Sequence, residues 1–101
     1  MNISQTVTLR QLEIFLAVAR REHVTQAARD VNLSQSAVST ALAELTDRLG
    51  GALLERVGRR VVLNDRGRRL ADDAADLLQR AAELVQQYTG GSSIRGSLRI
   101  G

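Results

Sequence analysis

Apolar residues recur at helical spacing over much of this chain, with polar residues in the positions between them. Near the start, Thr8 and Gln11 form a capping-box pattern, which predicts the beginning of a helix. We expect the apolar side of this helix to pack on the helices that follow. That side is formed by Leu9, Leu12, Phe15, Leu16 and Ala19.

The stretch from Thr25 to Leu49 predicts two further helices. A tight turn at Asn32 and Leu33 joins them. We expect Thr25 to be the N-cap of the first of these helices and Ser34 the N-cap of the second. The second helix carries one continuous apolar stripe, formed by Val38, Leu42, Leu45 and Leu49.

The polar side of that second helix begins with short, uncharged hydrogen-bonding groups. Such groups at a helix N-terminus suit close approach to phosphates and base edges. We interpret the stretch as a helix-turn-helix with a recognition helix, and a helical hairpin that packs on another element is the alternative. The candidate contact residues are Gln35, Ser36, Ser39 and Thr40.

Residues 53–63 predict a short β-hairpin after the recognition helix, because β-branched residues flank a turn at Gly58 and Arg59. A hairpin in this position is a wing. Three arginines on or near its tip favour contact with a DNA backbone or a narrow minor groove. They are Arg56, Arg59 and Arg60.

A long helix is predicted from residue 65 to residue 89, capped by Asn64 or Asp65. Two adjacent apolar rows run along it and make a face wider than a three-helix core can cover. We expect this face to form a homodimer, and a helix that lies along its own domain is the alternative. The proposed interface comprises Leu70, Ala74, Leu77, Leu78, Ala81, Leu84, Val85 and Tyr88.

Composition narrows the function classes further. All 14 basic side chains are arginine, and six of them lie between residues 56 and 69, which is the electrostatic pattern of a polyanion-binding protein. Without cysteine and with one histidine, the chain offers no metal site and no histidine-based catalytic pair, so we predict no enzyme and no cofactor. No apolar run would span a membrane and no signal-peptide pattern occurs, so we expect a cytoplasmic protein.

The residues also resemble a known family. The segments LRQLEIFLAVA, TQAARDVNLSQSAVS and LGGALLERVGRRVVLNDRG are similar to the N-terminal part of LysR-type transcriptional regulators, and GSLRIG resembles the first strand of their effector-binding domain. The resemblance covers residues 8–101. Three positions depart from the usual pattern, with Ser36 in place of a frequent proline, Thr40 in place of a frequent arginine and Leu54 in place of phenylalanine.

This resemblance implies a mainly α fold, a winged helix-turn-helix of three helices plus a two-stranded wing, followed by a long dimerisation helix. It divides the chain into a DNA-binding domain at 1–64, a linker helix at 65–89, and a hinge with the first residues of an effector-binding domain at 90–101. It further implies double-stranded DNA with inverted-repeat sites as the partner, antiparallel pairing of the long helices, a tetramer for the full-length protein, and a small-molecule effector for a domain beyond residue 101.

By position, the resemblance assigns roles to individual residues. Gln35, Ser36, Ser39 and Thr40 would face base edges or phosphates in the major groove. Thr25 and Ser34 would help to bind phosphates, and Arg59 would enter the minor groove. A winged-helix module that docks a protein without nucleic acid is the competing hypothesis, but small polar groups together with wing arginines favour DNA.

Overall fold

The computed structural model describes residues 7–90, and the predicted hinge beyond Gly90 and the segment GSLRIG lie outside that range. Four helices and one antiparallel two-stranded sheet follow each other along the chain. They are α1 (Leu9–Arg21), α2 (Val24–Asp30), α3 (Gln35–Leu49), β1 (Leu54–Val57), β2 (Arg60–Leu63) and α4 (Asp65–Thr89). This order confirms the predicted mainly α winged helix-turn-helix with a long final helix.

Side-chain caps set the starts of α1 and α3. Thr8 Oγ1 accepts from the Gln11 backbone N–H at 3.0 Å, and Gln11 Oε1 accepts from the Thr8 N–H at 3.0 Å, which completes the predicted capping box. Ser34 Oγ accepts from the Ala37 N–H at 3.1 Å, as predicted. The prediction of Thr25 as an N-cap is wrong, because α2 begins two residues earlier than that cap requires and His23 occupies the cap position without a side-chain bond.

The turn between α2 and α3 lies where the sequence places it. Asn32 adopts a left-handed conformation with φ of 58°, and the Leu33 N–H donates to the Ala28 carbonyl at 3.0 Å. Asparagine tolerates this backbone region better than most residues. The turn brings the start of α3 next to the start of α2, which positions the candidate site.

Phe15 and Leu45 are the largest fully buried side chains of the core, together with Val18 and Val38. The buried sides of α1, α2 and α3 meet here, as the apolar spacing of α1 and α3 predicts. Leu9 is an exception. The prediction that it packs on the helix-turn-helix is wrong, because it lies in the first turn of α1, beyond the core, and is 47% exposed.

The wing is a hairpin of β1 and β2 in which Leu54 pairs with Leu63 and Val57 with Arg60. Gly58 takes a φ of 62° in the turn, which is the left-handed conformation that glycine adopts without steric cost. The Val61 N–H donates to the Glu22 carbonyl at 2.9 Å, so β2 is attached to the end of α1. Asn64 then caps α4 by accepting from the Gly67 N–H at 2.8 Å.

The two halves of α4 have different surroundings. Leu70, Ala74 and Leu78 pack into the cluster that contains Phe15, so the first half of the helix belongs to the core. The prediction that Ala74 lies in a dimer interface is wrong, because α4 turns this side towards its own domain and leaves Ala74 only 1% exposed. The second half is uncovered, and its exposed large apolar side chains are Leu77, Leu84, Val85 and Tyr88.

Candidate nucleic-acid interface

A polar groove lies between the start of α2, the start of α3 and the wing, and we refer to it as the α2–α3–wing groove. It has a volume of about 350 Å³. The turn at Asn32 and the bond from the Val61 N–H to the Glu22 carbonyl fix these three elements relative to each other. Residues that are distant in sequence therefore line one groove. Five of the nine residues predicted to contact DNA line it, namely Thr25, Gln35, Ser39, Arg56 and Arg59.

The helical side of this groove is formed by two short rows of side chains. Thr25 is the second residue of α2 and Gln35 the first residue of α3, and both are exposed. The Thr25 hydroxyl donates to Gln35 Oε1 at 3.1 Å, which connects the two helices across the groove. Ser39 lies one turn beyond Gln35 on the same side of α3, as the spacing of four residues requires.

The cationic side of the groove is formed by arginines whose side chains have no partner in the described part of the chain. Arg29, Arg56 and Arg59 all line it, and within the described residues 7–90 none of the three guanidinium groups makes a hydrogen bond or an ion pair. Most other arginines are engaged, as Arg21 is with Asp30 and Arg68 with Asp65. Unpaired guanidinium groups gathered on one concave surface create a positive potential that attracts anions.

Arg60 was predicted to join this group, but the structure gives it another position. Its Nε donates to Oε1 of Glu22 at 2.9 Å and its Nη2 lies 2.7 Å from the same oxygen in an ion pair, so its charge is compensated by the end of α1. Arg60 is the first residue of β2 and its side chain reaches the end of α1, whereas Arg59 remains exposed in the turn of the hairpin.

The three remaining predicted residues lie just outside the groove. Ser36 and Thr40 are exposed on the strip of α3 next to that of Gln35 and Ser39. Ser34 caps α3, and its hydroxyl lies 3.3 Å from that of Ser36. These hydroxyls therefore extend the polar surface along α3 without entering the concavity.

Three further polar residues of the groove were missed at the level of sequence, namely His23, Gln26 and Arg29. The signal for Arg29 was available, because a spacing of four residues from Thr25 places both on one side of a helix. His23 was assigned to an ordinary surface turn. It becomes part of the groove because β2 is attached to Glu22, the residue before it.

An ion pair behind the groove holds α2 against α1. Arg21 Nε and Nη2 donate to the two carboxylate oxygens of Asp30 at 2.7 and 3.0 Å. The hydrogen bond from Arg21 lowers the pKa of the Asp30 carboxyl and, reciprocally, raises the pKa of the Arg21 guanidinium. This pair fixes the end of α2, the helix that carries Thr25 and Arg29.

Other kinds of site find no support in the part of the chain that the structure describes. Between residues 7 and 90, no three His, Cys, Asp or Glu side chains lie close enough together to hold a metal ion. Across the same residues, none of the helices combines the length and the apolar character that a membrane span requires.

Comparison with known proteins identifies the family. The model of the bacterial regulatory helix-turn-helix proteins of the lysR family matches residues 9–68, from the start of α1 through the wing to the first turn of α4. The chain belongs to the LysR family. This membership confirms the predicted function class, which is a DNA-binding transcription regulator.

A LysR-type relative of similar sequence is the uncharacterized HTH-type transcriptional regulator YeiE of Escherichia coli strain K12. It is 45% identical over 94 residues, which cover 93% of this chain and 31% of YeiE. The chain therefore spans about a third of the length of that relative.

Two solved structures of similar fold contain DNA. The complex of the CbnR DNA-binding domain with DNA superposes with a TM-score of 0.78 at 29% identity, over 86% of this chain and 100% of that one. The complex of the BenM DNA-binding domain with benA site 1 DNA gives a TM-score of 0.77 at 30% identity, over 81% of this chain and 92% of that one. The whole arrangement of helices and wing is thus shared with these LysR-type domains.

Proposed function

We propose that this chain binds duplex DNA as a homodimer, with the α2–α3–wing groove facing the DNA. The observation that carries the proposal is the convergence of three unpaired arginines with Gln35 and Ser39 in one groove. Base-reading amides and hydroxyls next to phosphate-binding guanidinium groups are the combination that sequence-specific DNA binding requires.

In this proposal the first turns of α3 enter the major groove. Gln35 and Ser39 project from the exposed side of α3, and the side chains around them are small. A helix with short polar side chains at its start can approach base edges closely, because no long charged group holds it away. Ser34, Ser36 and Thr40 then lie along the same helix, where hydroxyls can donate to phosphates.

The arginines of the groove contact the backbone on either side. Arg29 on α2 and the two wing residues Arg56 and Arg59 lie on different elements, so they can reach different phosphates. Arg59 is exposed in the turn of the hairpin and is the candidate for a narrow minor groove.

The uncovered half of α4 supplies the dimer contact in this proposal. A groove between the start of α1 and α4 is lined by Leu9, Leu77 and Leu84, with Arg80 and Glu83 at its edge. A second copy related by a two-fold axis would cover both apolar strips and present two recognition helices, which accounts for inverted-repeat sites. For a longer protein that contains this chain, we propose a tetramer, a small-molecule effector and a cytoplasmic location.

The competing hypothesis, a protein-docking module, predicts a different residue composition for the groove. A docking surface is enriched in exposed aromatic or aliphatic side chains. Apart from Val24 and Val61, the side chains that line the groove are polar or charged. Family membership and the groove both favour DNA.

A salt titration tests the proposal directly. The affinity for a labelled duplex that carries a selected site should fall steeply with salt, because arginines that bind phosphates release counterions from them. Changing Arg29, Arg56 and Arg59 together to Ala should lower the slope of log affinity against log salt by about 0.9 for each phosphate that is no longer neutralised. Arg20→Ala, which removes an arginine outside the groove, is the matched control. A slope near zero for the unaltered chain, or no binding at low salt, would favour the docking module.

A further inference from the structure

We propose that Thr25 determines which base Gln35 recognises, because its hydroxyl orients the Gln35 amide so that hydrogen-bond donors face the DNA. The inference rests on the proposed function and adds a specificity to it. In this role Thr25 is a positioning residue. It acts through the Gln35 side chain and makes no base contact of its own.

The contact between the two side chains has a defined direction. Thr25 Oγ1 donates to Gln35 Oε1 at 3.1 Å, and the two residues lie on different helices, α2 and α3. A threonine hydroxyl carries a single hydrogen. While this bond is formed, Thr25 has no hydrogen left to give to a phosphate, so the role that the family resemblance implies for it does not fit this arrangement.

The consequence for Gln35 follows from the shape of its amide. The group has one acceptor oxygen and one NH₂ with two donors, on opposite sides of the same carbon. Because Oε1 is held towards α2, Nε2 is turned away from Thr25 and faces the open side of the α2–α3–wing groove, where the proposed function places the DNA. In the described residues the side-chain amide of Gln35 has no other hydrogen-bond partner, so both of its donors are available.

An amide presented in this way prefers a different base from a free amide. A free glutamine pairs with adenine by using its oxygen for N6 and its NH₂ for N7. An amide that offers only donors suits guanine, whose N7 and O6 are neighbouring acceptors, and meets a repulsive N6 donor on adenine. We therefore expect the Gln35-dependent position of the operator to be guanine.

The experiment measures base preference with the chain of residues 1–101. Selection from a randomised duplex pool gives a binding site, and repeating it with Gln35→Ala identifies the position that depends on Gln35. Thr25→Val, which replaces the hydroxyl by a methyl of similar size, should move the preference there from guanine to adenine. The shift should be at least about fivefold, the lower limit of what one bidentate base contact contributes. Thr25→Ser retains the hydroxyl and should restore guanine.

Two additional measurements separate this role from a structural one. Replacing the guanine by 7-deazaguanine removes N7 and should weaken binding of the unaltered chain, but not of Gln35→Ala. The slope of affinity against salt should be the same for Thr25→Val and the unaltered chain, because both neutralise the same phosphates. Should Val disturb α2, Thr25→Ala removes the same hydroxyl with a better helix former.

The outcomes also distinguish this inference from the proposed function. No salt-dependent duplex binding at all would contradict the proposed function itself. Three outcomes would overturn the role of Thr25 and leave DNA binding intact. The first is that the unaltered chain selects adenine at the Gln35-dependent position, and the second is that selection with Gln35→Ala reveals no such position. The third outcome is a base preference that stays the same in both Thr25→Val and Thr25→Ala.

Discussion

Arg60 and Glu22 join the wing to the end of α1 through a single carboxylate oxygen, which accepts from Nε at 2.9 Å and lies 2.7 Å from Nη2. The backbone of Glu22 adds a second attachment, because its carbonyl accepts from the Val61 N–H at 2.9 Å. Glu22 is also one of two non-glycine residues with positive φ in the described range, at 58°. The neighbouring arginines Arg59 and Arg60 therefore have different roles, one exposed in the hairpin turn and one in the wing attachment.

This difference predicts different effects on DNA binding. Arg59→Ala should lower the slope of log affinity against log salt by about 0.9, the value for one neutralised phosphate. Arg60→Ala should change that slope much less, because the guanidinium is already paired with Glu22. Fluorescence anisotropy with one duplex at several salt concentrations measures both. Equal decreases in the two variants would mean that the Glu22–Arg60 pair opens on DNA.

A second prediction concerns the junction of the wing and α4. A Cβ on Gly67 would meet the backbone carbonyl of Leu53, which cannot move without displacing β1. Gly67→Ala should lower the free energy of unfolding by about 1–3 kcal/mol, the usual cost of overpacking, despite the better helix propensity of alanine. Urea unfolding followed by circular dichroism measures it.

The matched control for Gly67 is Gly51, which lies against the side chain of Arg66, the residue before Gly67. A Cβ there would meet only the end of the Arg66 side chain, at 3.1 Å. That guanidinium can move aside at the loss of its bond to the Leu49 carbonyl, so Gly51→Ala should cost no more than about 1 kcal/mol. Similar destabilisation in both variants would contradict the steric explanation.

A third prediction follows from the ion pair behind the groove. The hydrogen bond from Arg21 lowers the pKa of Asp30 below its ordinary 3.8. A carboxyl whose pKa is lower in the folded state contributes stability above its unfolded pKa, and this contribution disappears as the pH falls through the folded pKa. Asp30→Asn should therefore be less stable than the unaltered chain at neutral pH, and the difference should vanish in strong acid.

The measurement for Asp30 is the urea midpoint at neutral pH and at pH values below the folded pKa. Asp76→Asn is the control, because Asp76 has no ion pair in the described residues. The control should show no pH-dependent difference of this kind. A deficit for Asp30→Asn that persists unchanged in acid would point to packing and not to the charge.

Much of the fold was predictable because its determinants are local. The capping box of Thr8 and Gln11, the cap at Ser34 and the turn at Asn32 each depend on residues within five positions of one another. Gly58 similarly specifies the hairpin turn. These caps and turns are therefore determined by the local spacing and type of residues.

The rest depends on contacts between distant parts of the chain. The bond from Thr25 to Gln35 and the pair of Glu22 with Arg60 arise only after α2, α3 and the wing are assembled. Ala74 shows the same limit in the long helix. Two adjacent apolar rows do not reveal which of them faces the domain, so its burial could not be read from periodicity.

The last prediction concerns the uncovered half of α4. Leu84 is 56% exposed and Tyr88 79%, while Leu77 and Leu9 line the groove between α1 and α4. A monomer would leave this apolar strip in water, and large contiguous patches of that kind are uncommon on monomers. We expect a homodimer at micromolar concentration, and sedimentation of the unaltered chain measures it directly. A monomer would contradict the proposal that α4 pairs with a second copy.

Paired substitutions on α4 test which side of the helix forms the contact. Leu77→Asp with Leu84→Asp places two charges in the exposed strip and should give a folded monomer that binds one half-site weakly. Gln79→Asp with Gln86→Asp adds the same charges at the same spacing, about 200° around the helix, and should remain dimeric. Ala74→Asp should instead unfold the chain, because that side chain is only 1% exposed in its own core. If the variant with Leu77→Asp and Leu84→Asp is still a dimer, the contact lies elsewhere. If this variant is folded but no longer binds both half-sites of one duplex, dimerisation is required for DNA recognition.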